Sequence, residues 1–425
     1  MLPQLHEKTE RAYAMVFDIR LSEVAWLICF NLLVFQSSLK TWFPLAGYFD
    51  EAAIIFMLVA AVSASFGRAS VAEHRISSTE LLSLVFLAAL VFIGVLGNFQ
   101  SRIQLDPKPI LIDVFACIKF VLLYLSGIIV MRGKRRLYKE VIREIKFLLL
   151  MMVPFAALNQ FMDLGMRFDY RNGLYSFQFI FIHPATYAEI LAGFVLLLMV
   201  ESEKNRGWIA LSLILIVFSL RSTAIAFVAC VVILCLNGTK KSTRLGQLGL
   251  IILAAIYLGW SQIQYYYVVT DGSARAMLTS VSLDIAARYA PIGSGFATFA
   301  SNITAQPGYY SLLYYQYGLN VVHGLVPGDI SFLSDTFWPI IIGQFGWLGL
   351  FSFLSCIACL VFGRLRFNSK HAVGGKLVIL FFAYLLLASL GSTAFFHPAS
   401  ALLTVSFAIA NAEQLALANA RKAKQ

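Results

Sequence analysis

Between Trp208 and Leu236 the chain reads WIALSLILIVFSLRSTAIAFVACVVILCL, and its single charged side chain is Arg221. A charge at bilayer depth costs roughly 2.5–3.5 kcal/mol on insertion scales unless something compensates it. Arg221 therefore calls for an anion, and a planar guanidinium fork suits one that offers paired oxygens. Arg275 and Arg288 raise the same question in a later polar segment, residues 264–335, which also holds His323 and the acids Asp271, Asp284, Asp329 and Asp335.

The elements that must position these groups are apolar helices. The 425 residues are 60% hydrophobic and only 13% charged, against about 25% charged in soluble domains. Apolar stretches near the ~20 residues that span a bilayer recur along the whole chain. They predict an all-α polytopic membrane protein, a single bundle over residues 1–425. The predicted spans are 21–39, 48–66, 80–97, 111–131, 146–162, 176–200, a short pair within 207–237, 246–264, 336–362, 376–392 and 398–416. That makes about twelve transmembrane segments. The first twenty residues are polar and mixed in charge, unlike a cleavable signal peptide. The six cysteines all fall in apolar segments and imply no disulfide framework.

Starting with the N-terminus in the cytoplasm, the positive-inside rule fits well. Of the 33 basic residues, all but Lys40, Arg102, Lys108, Lys119, Arg167, Arg171, Arg221, Arg275 and Arg288 fall on inside segments. The net charge of +11 is thus a topology signal and no nucleic-acid footprint. As one straight helix, 208–236 would run about 43 Å and would invert every later loop. A shallow hairpin turning at Ser219–Ser222, with arms of about 20 Å against a ~30 Å core, preserves the charge pattern. Arg221 then sits at the hairpin tip, near the external face but within the membrane.

Residues 264–335 form the one large external loop. Its MLTSVSLDIAARYA has apolar residues at helical spacing, consistent with an amphipathic helix at the membrane surface. PIGSGFATFAS adds a glycine-rich turn followed by aromatics, as in a fixed loop. Positive charge outside runs against the topological bias, so Arg275 and Arg288 are expected to have partners there. No phosphate-binding glycine loop, dinucleotide fingerprint or metal-ligand motif occurs. His183 and His397 share a pattern, FIHPAT and FFHPAS, read as a helix start with proline in the first turn.

From SARAMLTSVSLDIAARYAPIGSGFATFAS through YSLLYYQYGL and SDTFWPIIIGQFGWLG, the chain resembles the Wzy-type polysaccharide polymerases of the O-antigen ligase/polymerase superfamily. The likeness includes a G-x-x-G, Gly346 and Gly349, in the span after the large loop. Upstream, GNFQSRIQLDPKPILIDVFACIKF, YRNGLYSFQFIFIHPATYAEI and FSLRSTAIAF match family patches in the same order, so the resemblance covers roughly residues 90–362.

The resemblance implies a bundle related to type-C glycosyltransferases, working at the periplasmic face of a bacterial inner membrane. The donor is an undecaprenyl-diphosphate-linked oligosaccharide, and no metal or other cofactor is required. A separate chain-length regulator is a possible partner. Family arginines bind the donor diphosphate; Arg221 and Arg275 match them, with Arg288 and Arg171 matching less closely. The ligases of this superfamily carry a histidine in HNxYL at the loop's end. Here Asp335, within DTFWP, stands at that distance from G-x-x-G, and His323 lies twelve residues earlier. This departure favours a polymerase, with Asp335 preferred over His323 as the group that activates the acceptor hydroxyl. Two alternatives stand: a ligase transferring glycan to another acceptor, and a non-enzymatic transporter of lipid-linked oligosaccharide.

Overall fold

A computed structural model describes residues 23–66, 76–171, 173–236, 273–306, 308–368 and 372–422. The expected span 246–264, the first twenty residues and Asp271 lie outside the described residues. Helix α1 covers 23–40. It is followed by α2 (Phe49–Phe66), α3 (Ser78–Ser101), α4 (Pro107–Val130) and α5 (Arg135–Phe161). A short hairpin, β1 (Arg167–Arg171) and β2 (Leu174–Phe177), leads to α6 (Pro184–Leu198), α7 (Ser202–Val217) and α8 (Ser222–Leu236). The large connection contributes α9 (Ala274–Arg288), a two-residue hairpin β3–β4 (Ala305–Gln306 with Tyr309–Tyr310) and α10 (Leu312–Gln316). Helices α11 (Trp338–Phe367), α12 (Ala372–Ala388) and α13 (Pro398–Lys422) complete the bundle.

The molecule is an all-α membrane protein with almost no sheet. Among the described residues, six helical stretches are long and apolar enough to cross a membrane. One of them, Pro184–Val217, is bent. A 3-10 turn at Met199–Glu201 separates α6 from α7, a non-helical Asn205 (φ −110°, ψ 15°) kinks the first turn of α7, and the two helices pack against each other. Helix α6 is buried along almost its whole length, and α13, its main neighbour, is largely buried too. Together they form the centre of the bundle. Around them, α2, α3 and α5 leave Val59, Val85, Phe92, Phe147 and Leu150 exposed, as lipid-facing helices do.

Local sequence sets the helix ends. Ser77 and Glu80 form a capping box at α3, and Asp106 caps α4 ahead of Pro107. His183 and His397 cap α6 and α13, each accepting a backbone N–H two residues on at Nδ1, from Ala185 (3.2 Å) and Ala399 (3.3 Å). The expected helix-start role of the FxHPA pair is what the structure contains.

Two departures concern α5 and α6. The basic run before residue 146, expected as a loop, is already helix from Arg135. The apolar run at 176–183, expected as the start of a span, is strand and loop; helix begins only at Pro184.

The large connection is a folded element with its own core, built from Leu278, Val281, Ile285, Phe299, Leu313, Tyr314 and Leu325. Helix α9 forms as expected, but its apolar face is covered by this core and by α11 rather than lying on a membrane surface. Backbone chemistry attaches the element to the bundle. At Gly346 (φ 61°, ψ −161°) α11 breaks its helical path. The freed carbonyls of Gly343 and Gln344 accept Ser294 N–H (3.0 Å) and Gly295 N–H (2.8 Å). A Cβ on Gly293 or Gly346 would meet backbone atoms of the other segment at 2.5–2.6 Å, so this joint admits only glycine. Asn98 of α3 and Phe296 exchange two further bonds, Asn98 Nδ2 to Phe296 O (2.9 Å) and Phe296 N–H to Asn98 Oδ1 (2.8 Å). Asp113 accepts from Ala297 N–H (2.7 Å).

Candidate functional site

The expected break in the oily run is present. Helix α7 ends at Val217 and α8 starts at Ser222, so Arg221 occupies the turn between them. Leu220 just before it has φ 52°, a left-handed conformation that costs a branched residue roughly 1–2 kcal/mol. Phe179 (φ 52°) and Ile182 (φ 67°) do the same in the loop that leads to His183. Strained backbone thus flanks both Arg221 and His183.

The β1–β2 hairpin is built against this turn. Phe177 N–H donates to Phe218 O (2.8 Å). Gln160, at the end of α5, pairs with Tyr175 through both its amide nitrogen (2.9 Å) and its amide oxygen (3.0 Å). Along β1, Arg167, Asp169 and Arg171 alternate with more exposed neighbours, as the two-residue period of a strand requires. Asp169 then joins two guanidiniums: Arg171 Nε donates to it at 2.6 Å, and Arg221 Nη2 lies 3.8 Å away. Ser176 also donates to Asp169. Burial works to raise the Asp169 pKa, but Ser176, Arg221 and Arg171 outweigh it and hold the carboxyl below its ordinary value. Phe168 bridges onward, with the Arg221 guanidinium 5.2 Å from its ring and His183 edge-on at 4.8 Å.

A second ion pair comes from the large connection. Arg275 Nη2 contacts Asp335 Oδ2 at 2.5 Å, joining the start of α9 to the residue that ends the connection. His183 links the two pairs. Its pKa is pushed down to about 4, chiefly by burial and then by Arg221; Asp335 and Asp169 oppose the shift, and Arg171 adds to it. One imidazole therefore senses Arg221, Arg171, Asp169 and Asp335 together. Because its Nδ1 accepts the Ala185 N–H, the proton of the neutral ring sits on Nε2, and His183 is a hydrogen-bond donor rather than a base.

Of the residues singled out from sequence, Arg221 and Arg171 share Asp169, Arg275 pairs with Asp335, and the charge of Asp335 reaches His183 beside the first group. Arg288 and His323 do not join them. Arg288 is exposed at the last turn of α9, 5.6 Å over the Tyr289 ring and beside Tyr317. His323 is 84% exposed by side chain and has Asp329 (3.5 Å) and Phe332 as partners. Both are surface residues of the folded connection. Sequence patterning points to neither Asp169 nor Phe168, nor to a site role for His183. The Asn-Gly pair at 172–173 is the available signal for the hairpin that carries the first two.

Three arginines and two carboxylates leave this cluster with a net charge of +1. It holds charge-assisted donors for an anion's oxygens, a neutral donor in His183, and a carboxylate, Asp335, at its edge. Such a set suits a phosphorylated ligand. No protein-family profile matches the chain, and no curated protein matches it either.

Proposed function

We propose that the protein is a membrane glycosyltransferase that polymerises lipid-diphosphate-linked oligosaccharide repeat units at the periplasmic face of a bacterial inner membrane, with both termini in the cytoplasm. The observation that carries this reading is the sharing of Asp169 by Arg221 and Arg171 at the turn where α7 and α8 break, beside His183, whose imidazole also feels Asp335, the partner of Arg275. An anion on a polyprenyl chain reaches such a position from the bilayer.

In the reaction, a hydroxyl oxygen of the acceptor repeat bonds to the anomeric carbon of the donor glycan. The bond from that carbon to the diphosphate oxygen breaks, and the polyprenyl diphosphate leaves with the electron pair. Charge develops on the leaving oxygens, where positioned guanidiniums and His183 Nε2–H stabilise it without reorganising. Asp335 accepts or orients the hydroxyl proton. Arg275 holds Asp335 in place for that role.

The test is incubation of the purified protein with its lipid-linked repeat unit, with products resolved by length. A ladder is expected. A single transfer product on another acceptor means a ligase, and unaltered substrate moved across vesicles means a transporter.

A further inference from the structure

Next to the arginine cluster lies a cavity of about 150 Å³ between α1, α6 and the start of α13. We infer that it is a subsite for one sugar ring of the acceptor, an assignment that rests on the glycosyltransferase reading and deepens it. Its polar lining comes from Gln36, Ser37, Lys40, Thr186 and His397, over an apolar wall that includes Ile190. Sites for drug-sized ligands run to roughly 300–1,000 Å³, so this volume suits a single ring with the rest of the glycan outside.

The chemistry of the lining is that of a neutral, hydroxyl-rich ligand. Ser37 Oγ is buried without a hydrogen-bond partner among the described residues, and a sugar hydroxyl would supply one. His397 accepts the Ala399 N–H at Nδ1, so its Nε2 carries a proton to donate. The floor is rigid. Gln36 Nε2 donates to Asp50 (2.8 Å) and to Gly47 O (3.0 Å), and Asp50 neutralises Lys119 at 3.0 Å. With Lys119 matched by Asp50, the one cation among the described lining residues is Lys40, against three guanidiniums at the arginine cluster. Lys40 lies along Gly47.

The cavity adjoins the other site. Ser38 Oγ donates to Ile180 O (2.6 Å), tying α1 to the loop that carries His183. The charges of Lys119, Asp50, His183 and Lys40 all bear on His397. A ring held here places the rest of an acceptor beside the donor's leaving group.

The test uses Thr186→Cys, with Val321→Cys on the exposed surface as reference, and measures thiol-labelling rates site by site. The probe is the lipid-free repeat oligosaccharide, released by mild acid from lipid-linked intermediates of cells lacking this chain. The expected result is labelling slowed about fivefold or more at position 186 and unchanged at position 321, at saturations ordinary for a weak sugar site. The same protection should persist when Arg221→Ala is added, which separates this subsite from the diphosphate reading. An unchanged rate at position 186, or protection by undecaprenyl diphosphate and not by the oligosaccharide, overturns the assignment. A Thr186→Trp protein should keep undecaprenyl diphosphate binding while its polymer yield falls about tenfold, as expected when a positioning pocket is filled. Wild-type yield in that variant also overturns it.

Discussion

Two arginine–carboxylate pairs of nearly equal length sit in very different surroundings. Arg364 Nη2 meets Glu80 at 2.6 Å with side chains 1% and 0% exposed, and Glu80 also closes the capping box of α3. Arg275 meets Asp335 at 2.5 Å with side chains 18% and 26% exposed. The first is sealed, so its charges serve each other, the α3 cap and the α3–α11 contact. The second is partly open, so on the proposed reading an incoming anion can share its guanidinium. Geometry alone makes the pairs equivalent; access makes one a fastener and the other a candidate site.

The largest separation between them is expected in stability. Glu80→Gln should destabilise the fold by about 3–5 kcal/mol, because it strands a buried guanidinium. Asp335→Asn should cost under about 1 kcal/mol, as for an accessible pair. Denaturation of both variants in the same detergent checks this, and equal losses would erase the contrast. Activity should run the other way. Arg221→Ala and Arg275→Ala are expected to cut polymer formation about 10²–10³-fold, the range for removing one preorganised donor, with folded protein retained. Asp335→Asn should cost about 10²-fold, while His323→Gln, exposed and remote in its contacts, stays near wild type; the reverse order would reassign the base.

The smallest effect concerns pH. An unfolded histidine titrates near 6.5, while His183 is held near 4 in the fold, mainly by burial. Between those values the unfolded chain binds more protons, so stability is full above pH 6.5 and declines as pH falls toward 4. His183→Asn keeps a capping side chain and should remove part of that slope. A thermal scan from pH 7 to pH 4 shows whether it does.

Much of the bundle was legible because apolar length and basic loops constrain each other. The break at Ser219–Ser222 followed from the charge pattern alone, and the helix starts at His183 and His397 followed from proline. The β1–β2 hairpin had only the Asn-Gly pair at 172–173 as a signal, and its end merges at Ser176 into SFQFIFI, as apolar as a span, whose period does not distinguish strand from helix. The partners of Arg221 and Arg275 were also out of reach. Asp169 lies far from Arg221 in the chain, and Asp335 is 60 residues from Arg275; only tertiary packing brings them together. Arg288 and His323 share the segment with Arg275 and Asp335 but face outward on the folded connection, a distinction that spacing does not carry.

The most direct measurement is the affinity of the purified protein for undecaprenyl diphosphate in lipid nanodiscs, compared among wild type, Arg221→Ala and Arg275→Ala. A common diphosphate grip predicts that each substitution weakens binding about tenfold or more, a loss of about 1.4 kcal/mol or greater. Equal affinity in all three proteins would contradict it.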